Sequence, residues 1–260
     1  MWCLLLTRMY SAPTFVLPNP FIMHFKSLYN LPGMVRPEGS LVKLFNKVSQ
    51  KLGLHYNLVR TPDGMNTMHT LEQRMNFMLL TQQVINTEVQ GEWIEAGCFD
   101  GQSAMIFQKV LQNYFPDRSM WLYDNFQSKY GVEGNIRERL EKNFKSNLLN
   151  DPHICAGDFY ETIPAQLPQQ IAFGHIDCGF GGEPEKHKEI MLHLLRNIYP
   201  RLSPKAVLIL MDYHDPDQTM KGDAINAGVK LACDEFFTDK PEEVFTLFGN
   251  RYSHGYIIKK

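Results

Sequence analysis

One segment of the sequence constrains the fold most, because it reads as a β-strand that is apolar on both faces. Residues 206–211 run AVLILM without a polar position. A strand that faces water on one side alternates apolar and polar residues, whereas a strand in a parallel sheet covered by helices is apolar throughout. The chain is therefore predicted to form a parallel sheet with helices on both faces.

From residue 67 onward, helical patterns alternate with short apolar runs. A long helix over 67–85 precedes strands predicted at 93–96, 120–123, 153–156, 171–176, 206–211, 244–248 and 255–258. The helices between them are predicted at 102–114, 136–149, 185–198 and 224–237. This order predicts a doubly wound, Rossmann-like α/β fold whose sheet is mostly parallel with an antiparallel closing strand.

The first 66 residues differ from the rest, since they are rich in proline, glycine and asparagine and show one helical pattern, at 41–52. Residues 1–66 are predicted to form an N-terminal arm with a short helix, and residues 67–260 to form one domain. A chain of 260 residues is long enough for one large α/β domain. Whether this domain forms a homo-oligomer is left open.

Composition excludes several classes of protein. The chain is 44% hydrophobic and 21% charged, as is typical of a globular protein, and its net charge of -2 provides no positive field for nucleic acid. Its five cysteines are scattered and form no CxxC pair, which argues against disulfides or structural zinc. The apolar start is interrupted by Arg8, and no later stretch is long enough to span a membrane. A cytoplasmic protein without nucleic-acid or membrane partners is predicted.

In an open parallel sheet, ligands bind beyond the carboxyl ends of the strands. The first predicted strand runs into EAGCFDGQS at 95–103, where glycines let the backbone approach a ligand. Because this loop lacks the three-glycine dinucleotide pattern, a plain turn remains the alternative. Asp124 ends the second strand, roughly 20 residues further on, where an acid can bind two ribose hydroxyls; a cap or turn residue is the alternative.

Acidic residues also follow the later strands. After the third strand, Asp158 and Phe159 suit an adenine ring and its exocyclic amine. Asp177 and Asp212 end the fourth and fifth strands, so two carboxylates converge on one edge of the site. Convergent carboxylates suit a hard divalent cation that holds a substrate hydroxyl and lowers its pKa, with strand-end caps as the alternative.

Several short motifs occur in a specific order. They are Thr67-Met68, GEWIEAG at 91–97 with Gly101 and Ser103, DNF at 124–126, GDF at 157–159, TIP at 162–164, IDC at 176–178, YPRLSP at 199–204 and MDY at 211–213. In these motifs, most of 67–260 resembles the macrocin O-methyltransferase-like family of S-adenosylmethionine-dependent class I methyltransferases.

The resemblance implies S-adenosylmethionine as the cofactor and Asp177 and Asp212 as magnesium contacts. The residues predicted to bind the cofactor are Thr67, Met68, Glu95, Gly97, Gly101, Ser103, Asp124, Asn125, Phe126, Gly157, Asp158 and Phe159. Two positions depart from the family pattern. Gly179 stands where the family has an acid associated with removing the substrate proton, and Met211 precedes Asp212 where paired acids are usual.

A base from elsewhere is then needed, and His214 after the fifth strand is the leading candidate beside a catalytic Asp177. A histidine that only caps the turn is the alternative.

The first functional hypothesis is an O-methyltransferase of secondary metabolism that acts on a small-molecule hydroxyl. Magnesium-assisted methyl transfer is one version of this hypothesis. The second, favoured by Gly179, is a divergent cofactor-binding member with weak or no catalysis. A dehydrogenase is disfavoured, since the three-glycine loop is absent and no Tyr-x-x-x-Lys pair directly follows the fourth strand.

Overall fold

The computed structural model describes residues 40–54, 68–128, 130–179, 182–217, 226–249 and 253–260, so Thr67 and most of the predicted arm lie outside it. The strands are β1 (Glu92–Ala96), β2 (Met120–Asp124), β3 (His153–Ala156), β4 (Ile171–Ile176), β5 (Leu202–Leu210), β6 (Phe245–Leu247) and β7 (His254–Ile258). The helices are α1 (Ser40–Lys51), α2 (Leu71–Asn86), α3 (Gln102–Tyr114), α4 (Ile136–Ser146), α5 (Phe159–Thr162), α6 (Pro184–Ile198) and α7 (Gly228–Phe237). None of these helices has the length and apolar character to cross a membrane.

The strands form one seven-stranded sheet in the order β3-β2-β1-β4-β5-β7-β6. All pairs among β1 to β5 are parallel, and β7 runs antiparallel to both β5 and β6. The predicted fold is therefore confirmed. The chain winds outward from β1 in one direction and then from β4 in the other, so the switch point where ligands bind lies between these two strands.

The core lies on both sides of the central strands. Every residue of β4 is buried, and residues 206–210 of β5 have no exposed surface. On β1, Trp93 packs against Phe173 of β4 with ring centroids 4.8 Å apart. The apolar run at 206–211 is thus buried on both faces, as the sequence indicated, because helices cover the sheet on each side.

Some predicted boundaries were wrong. β5 begins at Leu202 instead of residue 206, because Pro204 and Lys205 are exposed within the strand and interrupt its apolar pattern. α4 ends at Ser146 instead of 149, because Leu148 adopts a positive φ of 55° and points into solvent. The short α5 was not predicted at all. α7 begins at Gly228, and the first two residues of the helix predicted at 224–237 lie outside the described part of the chain.

The beginning of α2 is fixed by hydrogen bonds that also hold the residues before it. Thr70 caps the helix by accepting from the Gln73 backbone N–H, and the Gln73 side chain accepts from the Thr70 N–H. The Thr70 hydroxyl donates to the Gly249 carbonyl at 2.8 Å, and the Met68 N–H donates to the side chain of Gln102 at 3.1 Å. Met68 and His69 are thereby held beside the first turn of α3, next to the switch point.

Replacing Thr70 by alanine should therefore lower the free energy of unfolding by about 0.5–2 kcal/mol, the usual contribution of a helix N-cap. Thr87→Ala is the matched control, since Thr87 lies at the exposed other end of α2 and its hydroxyl bonds only within the helix, to Gln83. Its effect should stay within about 0.5 kcal/mol. Urea unfolding measures both variants, and equal losses would contradict the role assigned to Thr70.

Candidate active site

Backbone hydrogen bonds join the carboxyl ends of β1 and β4. The Asp177 N–H donates to the Ala96 carbonyl at 2.8 Å, and the Gly97 N–H donates to Tyr123 of β2 at 2.8 Å. Gly97 has a φ of +89°, and a Cβ at this position would lie only 2.0 Å from the Asp177 carbonyl oxygen. Only glycine fits such an approach. The loop after β1 therefore passes directly beside the turn after β4.

Two adjoining cavities open at these strand ends, with volumes of about 300 Å³ and about 470 Å³. The first cavity is the smaller one and the second cavity the larger. Both are lined by Gly97, Phe99, Tyr130, Asp177 and Gly179. The predicted residues from several separate loops are thus brought to one continuous site.

Asp124 lines the first cavity in a fixed orientation. One of its carboxylate oxygens accepts from the Phe99 N–H at 2.8 Å, and the other accepts from the Phe126 N–H at 2.7 Å. Burial raises the pKa of Asp124, and these backbone hydrogen bonds act in the opposite direction. Asn125 lines the same cavity, whereas Phe126 packs against the core. Asp124 is thus preorganised to accept hydrogen bonds from a ligand.

The segment after β3 forms another part of the wall of the first cavity. Gly157, Asp158 and Phe159 all line it, together with Ile190 of α6. Asp158 caps the short α5 by accepting from the Tyr160 N–H at 2.8 Å. This wall combines a carboxylate with apolar side chains, a combination suited to a flat ring that carries an amino group.

Glu95 and Gly101 were also predicted to bind the cofactor, but neither lines the two cavities. The fully buried Glu95 carboxylate accepts a hydrogen bond from the Ser103 hydroxyl and lies 2.7 Å from His175 Nδ1. Ser103 does line the second cavity, so Glu95 contacts a residue of the cavity wall. Gly101 precedes α3 with a φ of +85°, and a Cβ there would press on Leu140 of α4 at 3.1 Å. Gly101 therefore allows two helices to pack.

Among the lining residues of the second cavity that the sequence analysis did not identify, two lie beside its aspartates. His69 Nε2 lies 3.6 Å from an oxygen of Asp177, and its side chain is only 8% exposed. The Asn226 amide donates to Asp212 at 2.6 Å. Met68 lines this cavity too, as predicted for a cofactor-binding residue. His69 adjoins the Thr67-Met68 motif, which was the one signal that could have indicated it; for Asn226 no sequence signal existed.

The pKa values of Asp177 and Asp212 are shifted in opposite directions. For Asp177, burial acts to raise the pKa, but contact with His69 and the nearby charges of other histidines outweigh burial and lower it. For Asp212, burial together with the charge of Asp177 raises the pKa to about 6. Such a difference between neighbouring acids is typical of a site that moves protons. Asp177 is therefore ionised well below neutral pH, whereas Asp212 titrates near pH 6.

The pair does not fit the magnesium site that the resemblance implied. One oxygen of Asp177 already faces His69 Nε2 at 3.6 Å, and one oxygen of Asp212 accepts from the Asn226 amide. Across the described ranges, no three histidine, cysteine or acidic side chains are grouped to hold a metal. Magnesium requires near-octahedral coordination by oxygen, and side-chain N–H groups directed at its ligands oppose that.

His214, the predicted base, does not line either cavity. Its Nδ1 lies 2.8 Å from the Ser253 hydroxyl, which in turn donates to the Tyr213 carbonyl at 3.0 Å. Since that hydroxyl has one proton, His214 Nδ1 is the donor in their contact. The described geometry therefore gives His214 a place in the turn after β5, and no contact with the cavities.

The strand order and the acids at the strand ends define a Rossmann-like methyltransferase fold. The O-methyltransferase NovP has a similar structure, with a TM-score of 0.60 and 20% identity over 85% of this chain and 98% of NovP. The family model described as Macrocin-O-methyltransferase (TylF) matches residues 59–135.

Two curated relatives are similar in sequence. Demethyldecarbamoylnovobiocin O-methyltransferase of Streptomyces niveus is 23% identical over 58% of this chain. A Streptomyces olivaceus enzyme, 8-demethyl-8-(2,3-dimethoxy-alpha-L-rhamnosyl)-tetracenomycin-C 4'-O-methyltransferase, is 24% identical over 58%. The chain spans 64% of the length of each relative, slightly less than two thirds. The matches confirm the predicted resemblance to the macrocin O-methyltransferase family.

The raised pKa of Asp212 predicts a pH-dependent gain in stability when the charge is removed. A carboxyl whose pKa is higher in the folded state destabilises that state once it ionises, so the cost is absent below the unfolded pKa and complete above about pH 6. Asp212→Asn should therefore raise the free energy of unfolding by up to about 2–3 kcal/mol near pH 7.5, and by roughly 1–2 kcal/mol less near pH 4.5.

Urea unfolding of both proteins at the two pH values tests this expectation. Asp117→Asn, on the exposed turn between α3 and β2, is the control and should change stability by less than about 0.5 kcal/mol at either pH. A gain for Asp212→Asn that does not depend on pH would show that its carboxylate is not strained by burial.

Proposed function

We propose that this protein is an S-adenosylmethionine-dependent O-methyltransferase that acts on a hydroxyl of a sugar or another small secondary metabolite. The observation that carries the proposal is the charge of the two adjoining cavities. Their described walls contain Asp100, Asp124, Asp158, Asp177 and Asp212, and no lysine or arginine. Asp100 is neutralised by Arg139 at 2.9 Å. The other four carboxylates face the cavities without an adjacent lysine or arginine among the pairs found in the described structure.

This charge distinguishes between cofactors. S-adenosylmethionine carries a cationic sulfonium, which neighbouring carboxylates stabilise, and those carboxylates repel the diphosphate of a nicotinamide dinucleotide. Backbone N–H groups at the start of a helix partly offset that repulsion in dinucleotide-binding proteins, but there three glycines let the diphosphate approach. The loop at 97–101 has two glycines. The site therefore favours the sulfonium cofactor over a dehydrogenase cofactor.

The residues present fit the cofactor along the length of the two cavities. We assign Asp124 to the ribose hydroxyls, and Asp158 and Phe159 to the adenine, because all three line the first cavity. Ser103 and Met68, on the wall of the second cavity, are left for the methionine portion. When bound, the cofactor supplies an electrophilic methyl group. The protein's own part is to hold a hydroxyl in line with that group and to exclude water from it.

The acceptor class is proposed from the second cavity and from the relatives. His69, Asp177, Asp212 and Asn226 provide donors and acceptors that bind hydroxyl groups. The Streptomyces olivaceus relative is named for 4'-O-methylation of a compound that bears a rhamnosyl group. A sugar hydroxyl is therefore the proposed acceptor for this chain.

A second candidate function is a cofactor-binding protein with weak or no catalysis. Gly179 favours it, since this residue lines both cavities without an acidic side chain. An added Cβ would find its nearest described neighbour, the Tyr130 hydroxyl, at 3.7 Å, so an acid would fit there. A Gly179→Asp variant that gains methyl transfer would favour this second function for the natural protein.

We also propose the division into an N-terminal arm (1–66) and a methyltransferase domain (67–260). In α1 the apolar side chains of Leu41 and Leu44 are 82% and 58% exposed, so this helix is not part of the described core.

A cytoplasmic location is proposed as well. It is supported by the four cysteines of the described chain, which are all free thiols.

Asp124→Ala should weaken S-adenosylmethionine binding by about 1.5–3 kcal/mol, the usual contribution of a hydrogen bond to a charged group. This corresponds to a rise in Kd of roughly 10- to 150-fold in isothermal titration calorimetry. Asp117→Ala, on an exposed turn, is the control and should leave Kd unchanged. If the Asp124→Ala variant is folded and its Kd is unchanged, the assignment of the cofactor to the first cavity is wrong.

A further inference from the structure

We infer that the acid pair of the second cavity works through two side chains in place of a metal ion, with His69 accepting the proton of the acceptor hydroxyl. Asn226 holds Asp212 in the same arrangement. The inference rests on the proposed function, because it needs a hydroxyl as acceptor. It assigns a role to a residue that lies outside the motifs shared with the family.

The first support is the position of His69. Its Nε2 lies 3.6 Å from Asp177, and its ring meets Phe77 edge-on with centroids 5.4 Å apart. The Thr70 cap and the Met68 hydrogen bond to Gln102 hold the chain on either side. A carboxylate beside an imidazole orients the ring and stabilises the imidazolium that forms when it takes a proton. His69 thus has a fixed place and a partner for its charge.

The second support is the position of Gly179. Since it carries no acid, the proton has to be taken by another group on the cavity wall. One oxygen of Asp177 already faces His69 Nε2 at 3.6 Å, so this carboxylate is the partner of the imidazole. His214 lies outside the cavities. His69 and Asp212 remain, and Asp212 already receives the Asn226 amide at 2.6 Å. His69 therefore has the better geometry.

The step balances without a further reactant. The hydroxyl oxygen forms a bond to the methyl carbon, and the bond from that carbon to sulfur breaks with its electron pair left on sulfur, as a neutral thioether. The hydroxyl proton moves to His69. With the Nε2 proton directed at Asp177, Nδ1 is the nitrogen that accepts it. The positive charge that leaves the sulfonium thus ends on an imidazolium beside a carboxylate.

The metal half of the inference is tested by titrating the protein with Mn²⁺ in the presence of S-adenosylhomocysteine and following water proton relaxation. The parent protein should bind no Mn²⁺ below about 1 mM, since its two carboxylates face side-chain donors. Asn226→Asp removes one donor and adds a third carboxylate, so it should bind Mn²⁺ at least about tenfold more tightly. Asn125→Asp, which adds an acid to the first cavity, is the matched control and should gain nothing. Micromolar binding by the parent would overturn this half.

The role of His69 is tested first without an acceptor, by ¹⁵N NMR of the histidine rings in the S-adenosylhomocysteine complex. His69→Gln assigns the signal. The neutral ring should have its proton on Nε2, and Asp177→Asn should weaken this preference. A proton on Nδ1 in the parent protein would overturn the assignment of His69 as the base. This readout does not depend on knowing the acceptor.

The second test measures S-adenosylhomocysteine formed from S-adenosylmethionine with p-nitrophenyl α-L-rhamnoside as the probe, in the presence of EDTA. His69→Gln should lower turnover by about 10²- to 10⁴-fold with the Kd for S-adenosylmethionine within about threefold of the parent. His153→Gln is the control, because His153 stacks on Trp121 at the sheet edge, and should retain turnover. Turnover retained in His69→Gln but lost in Asp212→Asn would transfer the role to Asp212.

The same experiments give different results if the proposed function, and not the role of His69, is wrong. If the parent protein does not bind S-adenosylmethionine, the cofactor assignment is wrong, whatever the state of His69. If the parent binds the cofactor but transfers no methyl group to the rhamnoside, the sugar acceptor is wrong, and the NMR result still decides the role of His69.

Discussion

The site depends on one close contact, between the backbone of Gly97 at the end of β1 and that of Asp177 at the end of β4. A side chain at Gly97 would lie 2.0 Å from the Asp177 carbonyl oxygen, so the two loops approach only because this residue is glycine. The contact brings the loop that leads to α3 beside the loop that carries Asp177. Without it, the two adjoining cavities would not share a wall.

Beneath that contact lies a buried polar network that keeps the loop residues in place. Glu95 on β1 joins Ser103 on α3 to His175 on β4, and all three side chains are buried. One oxygen of Glu95 makes both contacts, whereas its other oxygen and His175 Nε2 are buried without a hydrogen-bond partner in the described structure. The two contacts fix the three side chains relative to one another, because breaking either would leave a further buried polar group unpaired. Glu95 thereby supports the cavity wall at Ser103, and its direct contact with the cofactor stays a prediction.

Electrostatics then separates the two acids at the far edge of the site. Asp177 and Asp212 follow neighbouring parallel strands, and burial would raise the pKa of both. His69, together with the charges of His175 and His254, reverses this effect at Asp177, whereas the charge of Asp177 adds to it at Asp212. The difference between the two pKa values therefore depends in part on His69, more than one hundred positions away in the sequence. It is a property of the assembled site.

The sequence by itself determined the sheet, its order of elements and the strand-end positions of Asp124, Asp158, Asp177 and Asp212. Local periodicity and the parallel-sheet rule are sufficient for that, since both follow from which faces must be buried. Only the tertiary structure decided that Glu95 and Gly101 stand behind the cavity wall, that His214 turns away, and that His69 and Asn226 face the acids. These outcomes depend on contacts between residues distant in sequence, and neither spacing nor composition contains that information.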